Sequence, residues 1–172
     1  MGPLRRYMTD DHARLDALLA ASTARADAFD ADAFERFRAG LLRHIGIEEK
    51  ILLSDARARR GGEPLPLAAR LRVEHAAIAS LMVPTPDAAL AAELRGLLDR
   101  HNALEEGDGG LYDELDALAG SEAERLLERA RAAAEPPVAR HFDGAGVMRT
   151  AADALALAER NAERVAARKK DR

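Results

Sequence analysis

Cysteine and tryptophan are absent from this 172-residue chain, and aromatic residues make up only 3% of it. Without cysteine there is no disulfide and no thiolate metal site, so any metal chemistry falls to imidazole and carboxylate. The same absence fits a reducing cytoplasm. Valine and isoleucine are sparse and no alternating apolar–polar run occurs, which removes the strand signal. No stretch approaches the roughly 20 apolar residues that a membrane span needs, and Met1 to Tyr7 contains no apolar leader segment. There is no long block of one charge sign, and a net charge of -4 offers no case for nucleic acid. The expectation is a cytoplasmic protein with neither nucleic-acid nor membrane partners.

What remains is 48% hydrophobic, carried mostly by alanine and leucine, in a length that suits one ordinary domain with an appendage. A first helix opens at Thr9-Asp10-Asp11 or at Pro3 and places Met8, His12, Leu15, Leu19 and Ser22 on one face. A second runs from about Asp30 to Arg59 and stops at Gly61-Gly62-Glu63-Pro64. A third carries Leu71, His75, Ile78 and Met82. A fourth opens at Thr85-Pro86 and runs through His101 to the glycines at 107–110. Four helices with short connections predict an all-α fold over residues 1–120, an antiparallel up-down-up-down four-helix bundle. Counted from the first turn, His12 and His44 lie at roughly 24 and 20 Å, hence at one level.

After Gly120, Ser121-Glu122-Ala123-Glu124 has the capping-box pattern and starts a charged helix that Pro136-Pro137 ends. His141 to Gly146 reads as loop. Thr150 opens a last amphipathic helix with Ala151, Leu155, Leu157 and Val165 among many charges. Residues 121–172 therefore form a helical C-terminal extension that packs on the bundle or on a second subunit, which would make a homodimer.

The informative stretch is Leu41 to Ile51. Phe34, Phe37, Leu41, His44, Glu48 and Ile51 step by three and four, so a histidine and a glutamate stand in an apolar stripe. His101 and Glu105 repeat the arrangement within the seam Leu90, Leu94, Leu97. Residues four apart leave one helix face and can reach one ion. A carboxylate buried there without a partner costs several kcal/mol or takes up a proton, and a metal ion removes that penalty. A single histidine on such a seam is more often a core residue with its hydrogen bonds satisfied than a ligand. Four of them (His12, His44, His75, His101), one per helix, with Glu48 and Glu105 at i+4, reverse that balance. Imidazole and carboxylate without thiolate suit iron, manganese or zinc, and two carboxylates able to bridge suit two ions better than one. Without metal, the expectation is that the carboxylates protonate and the histidines stay neutral.

The segments Asp11-His12-Ala13-Arg14-Leu15-Asp16, His44-Ile45-Gly46-Ile47-Glu48-Glu49, Glu74-His75-Ala76-Ala77-Ile78 and His101-Asn102-Ala103-Leu104-Glu105-Glu106 resemble the HHE cation-binding motifs of hemerythrin-like proteins. The resemblance covers about residues 4–118. It implies a non-haem centre of two iron ions, with Glu48 and Glu105 bridging and the four histidines as terminal ligands. It also implies reversible dioxygen binding, or sensing of oxygen, iron, redox state or nitric oxide. Two departures from the oxygen-carrying members stand out. Their third helix supplies two histidines one turn apart, whereas His75 has Leu71 and Ala79 at those positions. Their last motif ends in aspartate five residues after histidine, whereas here Glu105 stands at four and Glu106 at five. The coordination sphere is then more open, unless Glu49, Glu74 or Glu106 fills it; a carboxylate that is solvated or supports a histidine is the simpler reading of each. Tyr7, Tyr112 and Met8 line the pocket or simply pack the core.

An open sphere favours binding or sensing of dioxygen, nitric oxide or peroxide over simple oxygen storage. The expected cofactor is two iron ions, with manganese or zinc as alternatives. A di-iron oxidase, peroxidase or ferroxidase is the enzymatic alternative, less favoured, and a metal-free helical interaction protein is the third.

Overall fold

A computed structural model describes residues 1–25 and 27–170, the side chains of Lys169 and Lys170 excepted, so the last two residues of the expected extension lie outside it. The described residues contain no strand, only an isolated bridge between Arg25 and Ala28. Helix α1 spans Pro3–Ser22 and α2 Ala31–Ile47; a π-helical turn, Glu48–Leu52, runs on into α3, Leu53–Arg59. Then come α4 (Ala68–Leu81), α5 (Ala88–Glu106), α6 (Leu111–Ala119), α7 (Ala123–Arg131) and α8 (Ala151–Lys170). No helix among the described residues is long and apolar enough to cross a membrane.

Local chemistry sets the boundaries. α1 begins at Pro3, whose fixed φ suits a first turn, and not at Thr9. Gly2 has no side chain to cap the helix, and Asp116 of α6 supplies the cap instead. Its Oδ1 accepts from the Leu4 N–H and its Oδ2 from the Arg5 N–H, both at 3.0 Å. A Cβ on Gly2 would lie 2.1 Å from that carboxyl group, so the close approach requires glycine. Asp30 caps α2, accepting from the Ala33 N–H at 2.9 Å. α5 is capped by Asp87, which accepts from the Leu90 N–H at 2.8 Å, and not by Thr85. The Thr85 hydroxyl donates to Asp143 instead, at 2.6 Å. Ser121 caps nothing: a 3-10 turn, Gly120–Glu122, leads into α7. α7 stops at Arg131, before the prolines, and the Arg43 guanidinium of α2 donates to the carbonyls of Ala130, Arg131 and Ala133 at its end.

The π turn changes the seam. A wider turn inserts extra residues per revolution, so the inward positions after Glu48 fall at Leu52 and Ala56. Ile51, expected inward, is only partly buried, and Leu52 is fully buried in its place.

Two apolar clusters form, one on each side of a polar layer. One gathers Leu4, Met8, Ile47, Leu52, Leu71, Leu111, Leu115, Leu126 and Leu127; the other gathers Leu15, Leu19, Phe34, Phe37, Leu41, Ile78, Leu94 and Leu97. Three helices cross from one to the other through their histidines: α1 passes Met8–His12–Leu15, α2 passes Leu41–His44–Ile47 in the opposite sense, and α4 passes Leu71–His75–Ile78. α5 runs from Leu97 in the second cluster to His101 in the layer. The His12 and His44 rings are 4.5 Å apart, at one level as the turn count requires.

α7 closes the first cluster with Leu126, Leu127 and Ala130, while α8 lies along α4 and closes the second with Ala151, Ala154 and Ala158. Val165, expected on the apolar face of α8, is 54% exposed. The loop before α8 is tied to α2 by His141, whose Nε2 lies 2.5 Å from Glu35 Oε1.

Replacing Asp116 by alanine removes both caps from the start of α1. The expected cost is about 1–2 kcal/mol, read as a lower midpoint in urea denaturation.

Candidate metal centre

The structure brings His12, His44, Glu48, His75, His101 and Glu105 into one buried layer. Glu48 and Glu105 are fully buried and the four histidines nearly so. Their donor atoms fall into two groups, each within 4.8 Å: His12, His44, Glu48 and Glu105, and then Glu48, His75, His101 and Glu105. Both groups contain the same two carboxylates, which divide their oxygens between them. Glu48 Oε1 faces His44 Nε2 at 3.4 Å, and Oε2 faces His75 Nε2 at 3.1 Å. Glu105 Oε2 faces His12 Nε2 at 3.4 Å, and Oε1 faces His101 Nε2 at 3.2 Å.

Every imidazole is turned inward by a carboxylate behind it. His12 Nδ1 lies 2.5 Å from Glu106, His44 Nδ1 2.9 Å from Asp11, His75 Nδ1 2.9 Å from Glu49, and His101 Nδ1 2.8 Å from Glu74. A carboxylate only accepts, so each Nδ1 carries the hydrogen and each Nε2 is left to face the layer. The supporting residues adjoin inward-facing ones: Asp11 precedes His12, Glu49 follows Glu48, Glu74 precedes His75, and Glu106 follows Glu105. Successive helical residues point about 100° apart, so one of each pair enters the layer while the other reaches the neighbouring helix. Glu49, Glu74 and Glu106 thus stand behind histidines, with Arg72 on Glu49 at 3.1 Å and Arg70 on Glu74 at 2.9 Å.

The donor set fits cations. Glu48 Oε2, Glu105 Oε1 and His75 Nε2 are buried without an aligned hydrogen-bond partner. The 3.1 Å approach of His75 to Glu48 is proximity without a directed N–H···O bond. Lone-pair donors that converge without bonding one another need a positive centre between them.

In the metal-free protein, Glu48, His44, His75 and His101 shift against the sequence-based expectation, while His12 shifts with it. Burial works against the Glu48 carboxylate, yet His44 and His75 hold it well below the usual range. Burial likewise opposes the imidazolium forms, but Glu48 and Asp11 raise His44 to about 10. Glu105, Glu48 and Glu49 raise His75 to about 11, and Glu105 with Glu74 raise His101 to about 9. His12 goes the other way, lowered by burial and then by the neighbouring His44 charge. Asp11, against the effect of burial, falls to about 2 through His44 and Arg14.

Of Tyr7, Tyr112 and Met8, which on sequence grounds line the pocket or pack the core, one enters the layer. Tyr112, the second residue of α6, is fully buried and directs its hydroxyl into the layer, donating to Glu48 Oε1 at 2.6 Å. Tyr7 stays outside it, accepting from Arg43 at 3.3 Å. Met8 packs in the apolar cluster on the α6 side of the layer.

Two expectations can be measured. Imidazoles whose pKa is raised stabilise the metal-free fold fully below their unfolded value of 6.5, and this contribution disappears as pH climbs through about 9–11. Asp11 adds stability above 3.8 that is lost as pH falls towards about 2. The metal-free melting temperature should therefore fall above about pH 6.5, while the gain on adding metal, which needs neutral imidazole, grows in the same direction. Thermal melts across pH with and without metal check both slopes. Glu49→Ala, which on sequence grounds should do little, is expected to weaken metal binding about 10–100-fold by releasing His75, read by competitive titration with a chelator.

The hemerythrin HHE cation-binding domain model matches residues 4–111, a span that contains all six inward-facing residues. Neither the curated proteins nor the solved structures provided a match. With more than half of its length matched by the family model and a buried His/Glu cluster compatible with a metal site, the chain belongs to the hemerythrin HHE cation-binding domain family.

Proposed function

We propose that this chain is a non-haem di-iron protein that binds or senses a small ligand such as dioxygen, nitric oxide or peroxide. The observation that carries the reading is the division of Glu48 and Glu105, each giving one oxygen to either group of donors. Such a carboxylate pair spans two ions, with His12 and His44 holding one and His75 and His101 the other. Imidazole and carboxylate donors in a helix bundle suit iron, and two iron ions held there would supply the redox chemistry.

The surrounding space favours a small ligand over an organic substrate. A cavity of about 70 Å³ borders His12, walled by Leu15, Leu19, Phe37, Leu41 and Leu98. Pockets for organic ligands typically run to roughly 300–1,000 Å³, so this space admits a molecule of a few atoms. Asp16, Arg95, Asp99 and Asn102 complete its lining, with the Arg95–Asp16 ion pair at 2.5 Å. The carboxylates behind the histidines fix ring orientation, so the protein holds its donors in place before an ion arrives.

The test is metal analysis followed by rapid mixing with dioxygen or nitric oxide. About two iron ions per chain and a long-lived optical change on mixing are expected. Rapid decay with turnover would favour the oxidase or peroxidase reading, and zinc alone would remove the redox function. Glu48→Ala should cost both ions because its carboxylate serves both, whereas His12→Ala should cost one. Equal losses in the two variants would deny the bridge.

A further inference from the structure

The two groups of donors differ in one respect that the pattern of histidines and glutamates does not explain. Among the described residues, no other side-chain donor is in hydrogen-bond contact with Glu48 Oε2, Glu105 Oε1 or His75 Nε2. In the His12–His44 group the Tyr112 hydroxyl occupies the middle. It lies 2.6 Å from Glu48 Oε1, 3.2 Å from Glu105 Oε2, 3.3 Å from His12 Nε2 and 3.4 Å from His44 Nε2. Those four atoms are the complete donor group on that side.

We propose that Tyr112 is a further metal ligand, its phenol oxygen binding the ion held by His12 and His44. The proposal rests on the di-iron reading above. A phenol has one hydrogen to donate and a carboxylate has none, so the hydroxyl satisfies Glu48 or Glu105 but not both. With its Nδ1 committed to Glu106, His12 presents an Nε2 lone pair to the same point, and His44 does so once a cation takes the place of its proton. An oxygen within reach of two carboxylates and two imidazoles stands beside every donor that would hold the ion. When ferric iron binds, an iron–oxygen bond forms, the phenol O–H bond breaks, and the proton leaves to solvent; no electron is transferred. The two ions then differ, with five protein donors on one and four on the other.

The fold delivers this oxygen deliberately. Gly110 turns the chain into α6, and a Cβ there would come within 2.8 Å of three carbonyl oxygens, those of Leu104, Glu105 and Gly107. Asp116, one turn after Tyr112, is fastened to the start of α1, and Asp113 adds an ion pair with Arg5 at 2.5 Å. The ring is thereby held against His12, centroid to centroid at 5.7 Å. Residue 112 follows the last residue that the family model matches, so the match itself makes no statement about it.

Phenolate bound to ferric iron has a ligand-to-metal charge-transfer band in the visible and ring vibrations that resonance Raman enhances. The chain holds two tyrosines, which makes the assignment decidable. Iron-loaded wild-type protein, Tyr7→Phe and Tyr112→Phe are compared in the oxidised state, with circular dichroism as the control for folding. The band and the ring modes are expected in wild type and Tyr7→Phe and should vanish in Tyr112→Phe. Should Tyr112→Phe fail to fold, a signature retained in Tyr7→Phe still leaves Tyr112 as its only source. Iron-loaded wild type without the signature, or Tyr112→Phe with it unchanged, overturns the assignment and leaves the di-iron reading standing. A wild-type protein that takes up no iron overturns both.

Discussion

Two carboxylates, Glu48 and Glu105, sit at zero exposure in the middle of an otherwise apolar bundle. Unpaired, each would cost more than the burial of a leucine returns. The surrounding polar layer can be read as the answer to that cost. Four imidazoles converge on the pair, and four further carboxylates orient those imidazoles. The latter stand nearer the surface, where Arg14, Arg70 and Arg72 balance Asp11, Glu74 and Glu49. Among the described residues, no such ion pair with arginine reaches Glu48 or Glu105, so the inner pair depends for positive charge on the four imidazoles that face it. A cation between those donors would meet the same demand and leave the imidazoles neutral.

The inward residues were legible because helical spacing is local. His44 with Glu48 and His101 with Glu105 announce themselves four apart on apolar seams, and His12 and His75 by a single histidine among leucines. The supporting carboxylates were visible only as neighbours of those residues. Which histidine each one serves depends on how helices pack, since Glu106 reaches from α5 to His12 of α1 and Asp11 from α1 to His44 of α2. Glu49 shows the consequence: alone it reads as a solvated acid, and in the fold it holds His75.

Other features had no signature of period or spacing. The π turn begins at Glu48 itself, and nothing in Glu48-Glu49-Lys50-Ile51-Leu52 distinguishes it from ordinary helix. Tyr112 stands seven residues beyond Glu105 across a glycine turn, where helical periodicity says nothing about direction. Thr85 and Ser121 carried good capping chemistry, but Asp87 and a short 3-10 turn took those places. Val165 illustrates a different limit. On α8 it is an apolar residue at a plausible inward position, yet the small Ala151, Ala154 and Ala158 are what let that helix approach the bundle.

The polar layer also governs how the molecule comes apart. It separates two apolar clusters, and α1, α2 and α4 each contribute to both, so neither cluster belongs to a segment that could detach by itself. Opening one end tilts the same three rods at the other, with the layer as their common fulcrum. An ion bound at that height fixes the pivot, joining the two halves into one cooperative unit. Its removal leaves each half free to loosen against the other, and amide exchange would record the difference as protection lost throughout the long helices rather than at the site alone.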